Sequence, residues 1–227
     1  MSNLNAPPLN PLPPVVWLLM LPVVAFEVAF ALGAAGLAGG PSGIGWRLDA
    51  VQRFAFSPQY ARAMWDQGLW PLDGVMRFLT YAAVHGSVTH AVFVVVFLLA
   101  LGKFVGEVFA GWAVLVVVLG AAVTGAAVYA AVPSIDAALF GGYPAVYGLI
   151  GAFTFILWTN LGRSGANRAR AFSLIGMLLA IQLLFGVLFG GGPDWVADLA
   201  GFAAGFGLSF VVSPGGWGRV MAKLRER

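Results

Sequence analysis

The chain has 227 residues, 60% hydrophobic and only 9% charged, with a mean hydropathy of +0.90; a soluble domain carries about a quarter charged residues, so a water-soluble enzyme is excluded and an integral membrane protein is implied. Cysteine is absent and the only histidines are His85 and His90, which excludes disulfides, thiolate sites and a histidine-rich metal cluster, and no metal or cofactor is expected. The net charge of +3 is small, and its basic excess lies near the ends of apolar runs, as topology signals do, so no nucleic-acid partner is expected.

Residues 1–14 form a polar, proline-rich tail without the basic start of a signal peptide. An apolar run comes next at 15–38, too long for the core of a signal peptide and therefore a span, with Pro22 placed to kink it and Glu27 inside it. Residues 39–76 are the long non-membrane stretch, where Trp46, Phe54, Phe56, Tyr60, Trp65 and Trp70 alternate with Arg47, Arg53, Arg62, Asp49, Asp66 and Asp73. Rings interleaved with both signs of charge suit the headgroup layer, so short interfacial helices are predicted there.

Five more apolar runs lie at 78–101, 108–132, 137–161, 171–189 and 195–212. Each approaches the ~20 residues that a helix needs to cross about 30 Å of hydrocarbon. The fold class read from this is all-α, a polytopic bundle of six transmembrane helices, since runs so long and continuous satisfy their backbone in lipid as helices. Arg163, Arg168 and Arg170 come after the fourth span, and Arg219, Lys223, Arg225 and Arg227 lie in a basic tail at 213–227. Both fall on one side of a six-span protein, which makes that side, with both termini, cytoplasmic. The 39–76 loop then faces outward.

Ionisable groups within spans are costly and are functional candidates. Here they are Glu27, His85, His90 and Asp198, with Glu107 near a span end. Glu27 reads equally well as a structural or a functional group. On a regular helix His85 and His90 would point about 140° apart, so they read as separate hydrogen-bonding residues and not as a metal pair. In the last span Ala197, Gly201 and Gly205 recur every four residues, and the fourth span offers Gly148 and Ala152. Such stripes let helices approach closely, which would bring Asp198 to the start of the fourth span.

Taken together, these features resemble the rhomboid family of intramembrane serine proteases over roughly residues 76–205. Arg77, Thr80, His85 and His90 match the family's arginine, T-x-x-x-x-His and second histidine, while Val94 stands where the family has asparagine. Glu107 and Gly111 match a glutamate followed by glycine. The segment Gly141, Gly142, Tyr143, Pro144, Ala145, Val146, Tyr147, Gly148, Leu149 matches the nucleophile segment without a gap, except that Tyr143 replaces the serine and Pro144 the next glycine. In the last element, His-x-x-Gly-x-x-x-Gly, Asp198 replaces the base and Gly201 and Gly205 are retained. The resemblance implies a single rhomboid-like domain over 15–212.

It also implies that nucleophile, base and an oxyanion donor are all altered. Asp198 is a weaker base than imidazole, Val94 cannot donate, and loss of one such donor alone costs about two to three orders of magnitude in rate. Pro144 is expected to push Tyr143 out of helical geometry. Ser87 and Ser134 lie nearby without a base. A hydrogen bond between the Tyr143 hydroxyl and the Asp198 carboxylate is expected, turning a dyad into a clasp.

The function these features support is that of a catalytically inactive rhomboid-like protein, a pseudoprotease of the bacterial inner membrane. Its partners would be lipid and the transmembrane helices of other proteins or a membrane complex, bound in a chaperone, sorting or scaffold role. Two alternatives stay open: a divergent, active intramembrane serine-type endopeptidase, and a structural subunit of a larger membrane complex.

Overall fold

The computed structural model describes residues 11–218 and Met221. Most of the N-terminal tail and the basic residues Arg219, Lys223, Arg225 and Arg227 lie outside the described residues. The chain folds as helices α1 (Pro14–Ala34), α2 (Trp46–Phe54), α3 (Pro58–Gln67), α4 (Leu72–Thr80), α5 (Val88–Gly106), α6 (Gly111–Ala131), α7 (Tyr143–Arg163), α8 (Ser173–Phe189) and α9 (Trp195–Val212). Among the described residues extended pairing is confined to one antiparallel bridge, Phe56 with Leu139.

Helices α1, α5, α6, α7 and α9 are each long and apolar enough to cross a membrane. Helix α8, with 17 residues, lies at the short end of what can span and corresponds to the remaining apolar run. The protein is therefore the all-helical membrane bundle that the apolar runs predict. Pro22 does not end α1, which continues to Ala34.

Two span starts differ most from the hydropathy reading. The second span starts at Val88 and not at residue 78, because α4 ends at Thr80, a 3-10 turn covers Tyr81–Ala83, and the chain is extended at Val84. Ser87 caps α5, its Oγ accepting from the His90 N–H (3.2 Å), which satisfies one of the orphan donors of the first turn. The fourth span starts at Tyr143 and not at residue 137. Residues 137–142 are loop, because Leu139 spends its backbone groups on Phe56 (2.9 Å in each direction) and Gly141 donates to the Tyr81 carbonyl (2.9 Å). Hydropathy alone does not register such breaks, since the residues within them are apolar.

The predicted interfacial stretch forms α2, α3 and α4, and charged groups tie it to the bundle. Arg47 on α2 makes two 2.8 Å contacts with the Glu27 carboxylate on α1 and donates to the His85 carbonyl (2.9 Å). Glu27 is thus an ion-pair partner with a structural role. Arg62 on α3 donates to the carbonyls of Ala130, Val132 and Ile135 around the end of α6 and pairs with Asp136, where a cation complements the helix terminus.

The centre of the bundle is α6, α7 and α9. A Cβ on Gly205 would overlap the Gly148 backbone, one on Gly201 the Pro144 carbonyl, and one on Gly151 the backbone of Phe202 and Phe206. On the third side, a Cβ on Gly125 would come within 2.9 Å of the Ala197 carbonyl and 3.0 Å of the Pro144 side chain. The small-residue stripes therefore do meet, backbone against backbone.

This packing predicts a contrast within one helix. Gly205→Val should cost about 3 kcal/mol, the upper end for overpacking, and lower the detergent unfolding midpoint sharply. Gly207→Ala, where nothing lies within 4 Å, should not lower it, since alanine replaces the less helix-favouring glycine without a clash.

Candidate functional site

The break before α5 and the loop before α7 converge at one end of the bundle. His85 is fully buried, and its Nε2 accepts from the Gly142 N–H (3.1 Å). Accepting at Nε2 requires the unprotonated ring. Because residues 84–87 are not helical, His85 and His90 do not diverge as a regular helix would make them. Their rings meet edge to face with centroids 4.9 Å apart.

Gly141 makes this convergence possible. Its φ of +104° is open to glycine alone, and a Cβ there would strike the His90 ring. Gly142 is equally confined, since a Cβ would lie 2.7 Å from the Val94 side chain and 3.2 Å from the Ala82 carbonyl. Val94 itself is buried and apolar and faces the loop with a methyl group.

Tyr143 is the first residue of α7, with Gly142 as N-cap and Pro144 inside the first turn. The expectation that Pro144 would force Tyr143 out of the helix is corrected: first-turn N–H groups have no intrahelical acceptor, so proline is tolerated there. The Tyr143 ring stacks on His90, centroids 4.7 Å apart and planes inclined by 23°.

The expected Tyr143–Asp198 clasp is also corrected. Asp198, 3% exposed on α9, accepts through Oδ2 from Gln182 Nε2 on α8 (3.1 Å), and Gln182 Oε1 in turn accepts from the Tyr147 hydroxyl (3.3 Å). Asp198 Oδ1 is buried without a partner among the described residues. The carboxylate is thus held by α8, because the Tyr143 ring is directed to His90. A cavity of about 250 Å³ lies between α5, α7, α8 and α9, lined by Tyr143, Tyr147, Gln182 and Asp198 among apolar side chains.

Of the residues singled out in the sequence, His85, His90, Val94, Gly141, Tyr143 and Pro144 gather here, with Asp198 across the cavity from α9. Gly148, Gly201 and Gly205 serve the α7–α9 contact. Arg77 stands apart and braces the end of α2, donating to the carbonyls of Gln52 (3.3 Å) and Ala55 (2.9 Å). Glu107 and Gly111 lie at the opposite end of α5, where Glu107 pairs with Lys103 (3.6 Å). Ser87 is a helix cap. No group of three or more metal-ligating side chains occurs among the described residues.

Gln182 belongs to this site although no motif marks it. Its signal is a lone amide in the apolar run 171–189, but its partners lie on two other helices. Gln182→Leu should destabilise the protein by about 1–3 kcal/mol by stripping the buried carboxylate of its donor. Adding Asp198→Leu should then cost less than the sum of the two single changes, as read from detergent unfolding midpoints in a double-mutant cycle.

A family model described as Rhomboid domain matches residues 73–215, from the first turn of α4 to just beyond α9. A comparison with curated proteins returned no match. With more than half of the chain matched, the chain belongs to the rhomboid family.

Proposed function

We propose that this rhomboid-family protein does not cleave peptide bonds and instead binds the transmembrane segments of other proteins, or a membrane complex, in a chaperone, sorting or scaffold role. The observation that carries the reading is the separation of the two groups that would have to act together. The Tyr143 ring lies on His90, and the Asp198 carboxylate is bonded to Gln182.

Acyl transfer needs a nucleophile hydrogen-bonded to its base, with donors aimed at the developing oxyanion. A phenol ionises only near pH ~10, and a ring oxygen at the far end of a stacked side chain is no substitute for a short serine hydroxyl. Val94 removes a donor as well. Catalytic groups that act as a unit lose nearly all their effect when one is removed, and here three positions differ. What is left is a membrane bundle with a side cavity between α5 and α8, a shape suited to contact with another helix.

We further infer that the protein resides in a bacterial cytoplasmic membrane with both termini inside. Arg163, Arg168 and Arg170 cluster around the α7–α8 turn, with Arg168 over the Trp158 ring (4.6 Å), and basic short loops favour the cytoplasm.

Activity is tested with a fluorophosphonate probe on the purified protein. No labelling is expected; labelling abolished by Tyr143→Phe would restore the enzyme reading. Topology is tested by single cysteines in this cysteine-free chain. Ser164→Cys should react with a membrane-impermeant maleimide only after membrane disruption and Gln67→Cys in intact cells, and the reverse pattern would invert the orientation.

A further inference from the structure

The cavity beside Asp198 has a chemistry of its own, and the occupant inferred for it rests on the proposal that this protein binds transmembrane helices. Four observations converge there. A carboxylate 3% exposed has one oxygen engaged by Gln182 and the other without a partner among the described residues. Two phenol-bearing rings, Tyr143 and Tyr147, line the same space. The rest of the lining, including Phe97, Val146 and Ile150, is apolar. Finally, α8, which forms one wall, offers Asp198 a single polar contact among the described residues, Gln182.

Whichever protonation state Asp198 adopts, its surroundings leave it incomplete. As a carboxylate, Oδ1 is a buried acceptor with no donor among the described residues; as an acid, it would be a donor with no acceptor among them. A charge at membrane depth calls for an opposite charge, and tyrosine faces attract cations. We propose that the cavity is the recognition site for a basic side chain, lysine or arginine, carried by a partner's transmembrane helix, with Asp198 as its counter-ion and Tyr143 and Tyr147 as its flanking rings.

The geometry also sets a depth. Asp198 is the fourth residue of α9, and Tyr143 and Tyr147 are the first and fifth of α7. At 1.5 Å per residue the site lies about 5 Å inside the helix ends. The partner's basic residue therefore belongs about one turn inside the end of its span and not at the middle.

The test uses the full-length protein in detergent micelles and fluorescent Leu/Ala transmembrane peptides of about 20 residues. One peptide carries a single lysine a turn from its end, one has methionine there, and one has the lysine at its centre. The end-lysine peptide should bind about tenfold more tightly than the methionine peptide, equivalent to about 1.4 kcal/mol. The central-lysine peptide should show no such gain. Asp198→Asn should abolish the gain, so that the end-lysine and methionine peptides bind that variant alike.

Equal binding of end-lysine and methionine peptides to the unmodified protein overturns the proposal but leaves helix binding intact, and this comparison does not depend on a variant folding. A preference that survives Asp198→Asn overturns it too. Failure of every peptide to bind removes the helix-binding reading and this inference together. If n-butylammonium binds in an Asp198-dependent way while the peptides are not distinguished, the cavity belongs to a small amine and the helix-borne occupant is overturned.

Discussion

The close approach of α7 to α9 is the contact on which everything else in this protein depends. In lipid there is no hydrophobic gain from joining two apolar helices, so association rests on packing and on how near the backbones can come. Gly148 against Gly205, Gly151 against Phe202 and Gly201 against Pro144 bring main chain onto main chain. Each contact exists because a Cβ is missing on at least one side. The register they impose is what sets Asp198, three residues before Gly201, across from the first two turns of α7. A slip of one turn would carry the carboxylate away from Tyr147 and Gln182.

A second constraint concerns the non-helical backbone. Chain that leaves the helix near membrane depth must find its hydrogen bonds within the protein. The segments at 84–87 and 137–142 do this largely through one another and through the helices of the long loop. Gly142 donates to His85, Gly141 to Tyr81, and Leu139 exchanges two bonds with Phe56. Arg47 completes the arrangement by holding Glu27 and the His85 carbonyl together. Positions that match the family motif thus have structural work here: His85 receives a backbone N–H, and the absence of a side chain on Gly141 makes room for His90.

The scaffold is thus held together independently of the side chains at 143 and 198. The glycines and His85 hold backbone in place, and their contacts do not require a serine at 143 or a histidine at 198. Those two positions are side-chain ends facing shared space, and each has found another neighbour, His90 for Tyr143 and Gln182 for Asp198. Fold and reaction are separable in this way because function resides in the groups mounted on a fold and not in the fold itself.

Much of the architecture is legible in the sequence alone. The apolar runs announce helices that cross a membrane, the ring-and-charge mixture at 39–76 announces short helices, and the four-residue glycine spacing announces a close helix pair. These are signals carried by neighbouring residues, since periodicity and length express the physics of one helix in one solvent. The motif order also marks several residues that gather around the start of α7, among them His85, His90, Val94, Gly141 and Tyr143, but not Gln182. Side-chain pairing is beyond it. That Asp198 bonds Gln182 and not Tyr143, that His85 and His90 touch, and that Glu27 belongs to Arg47 all depend on the register between segments far apart in the chain. Register is decided by where backbones can approach and where helices break, and only the packed tertiary structure contains that information.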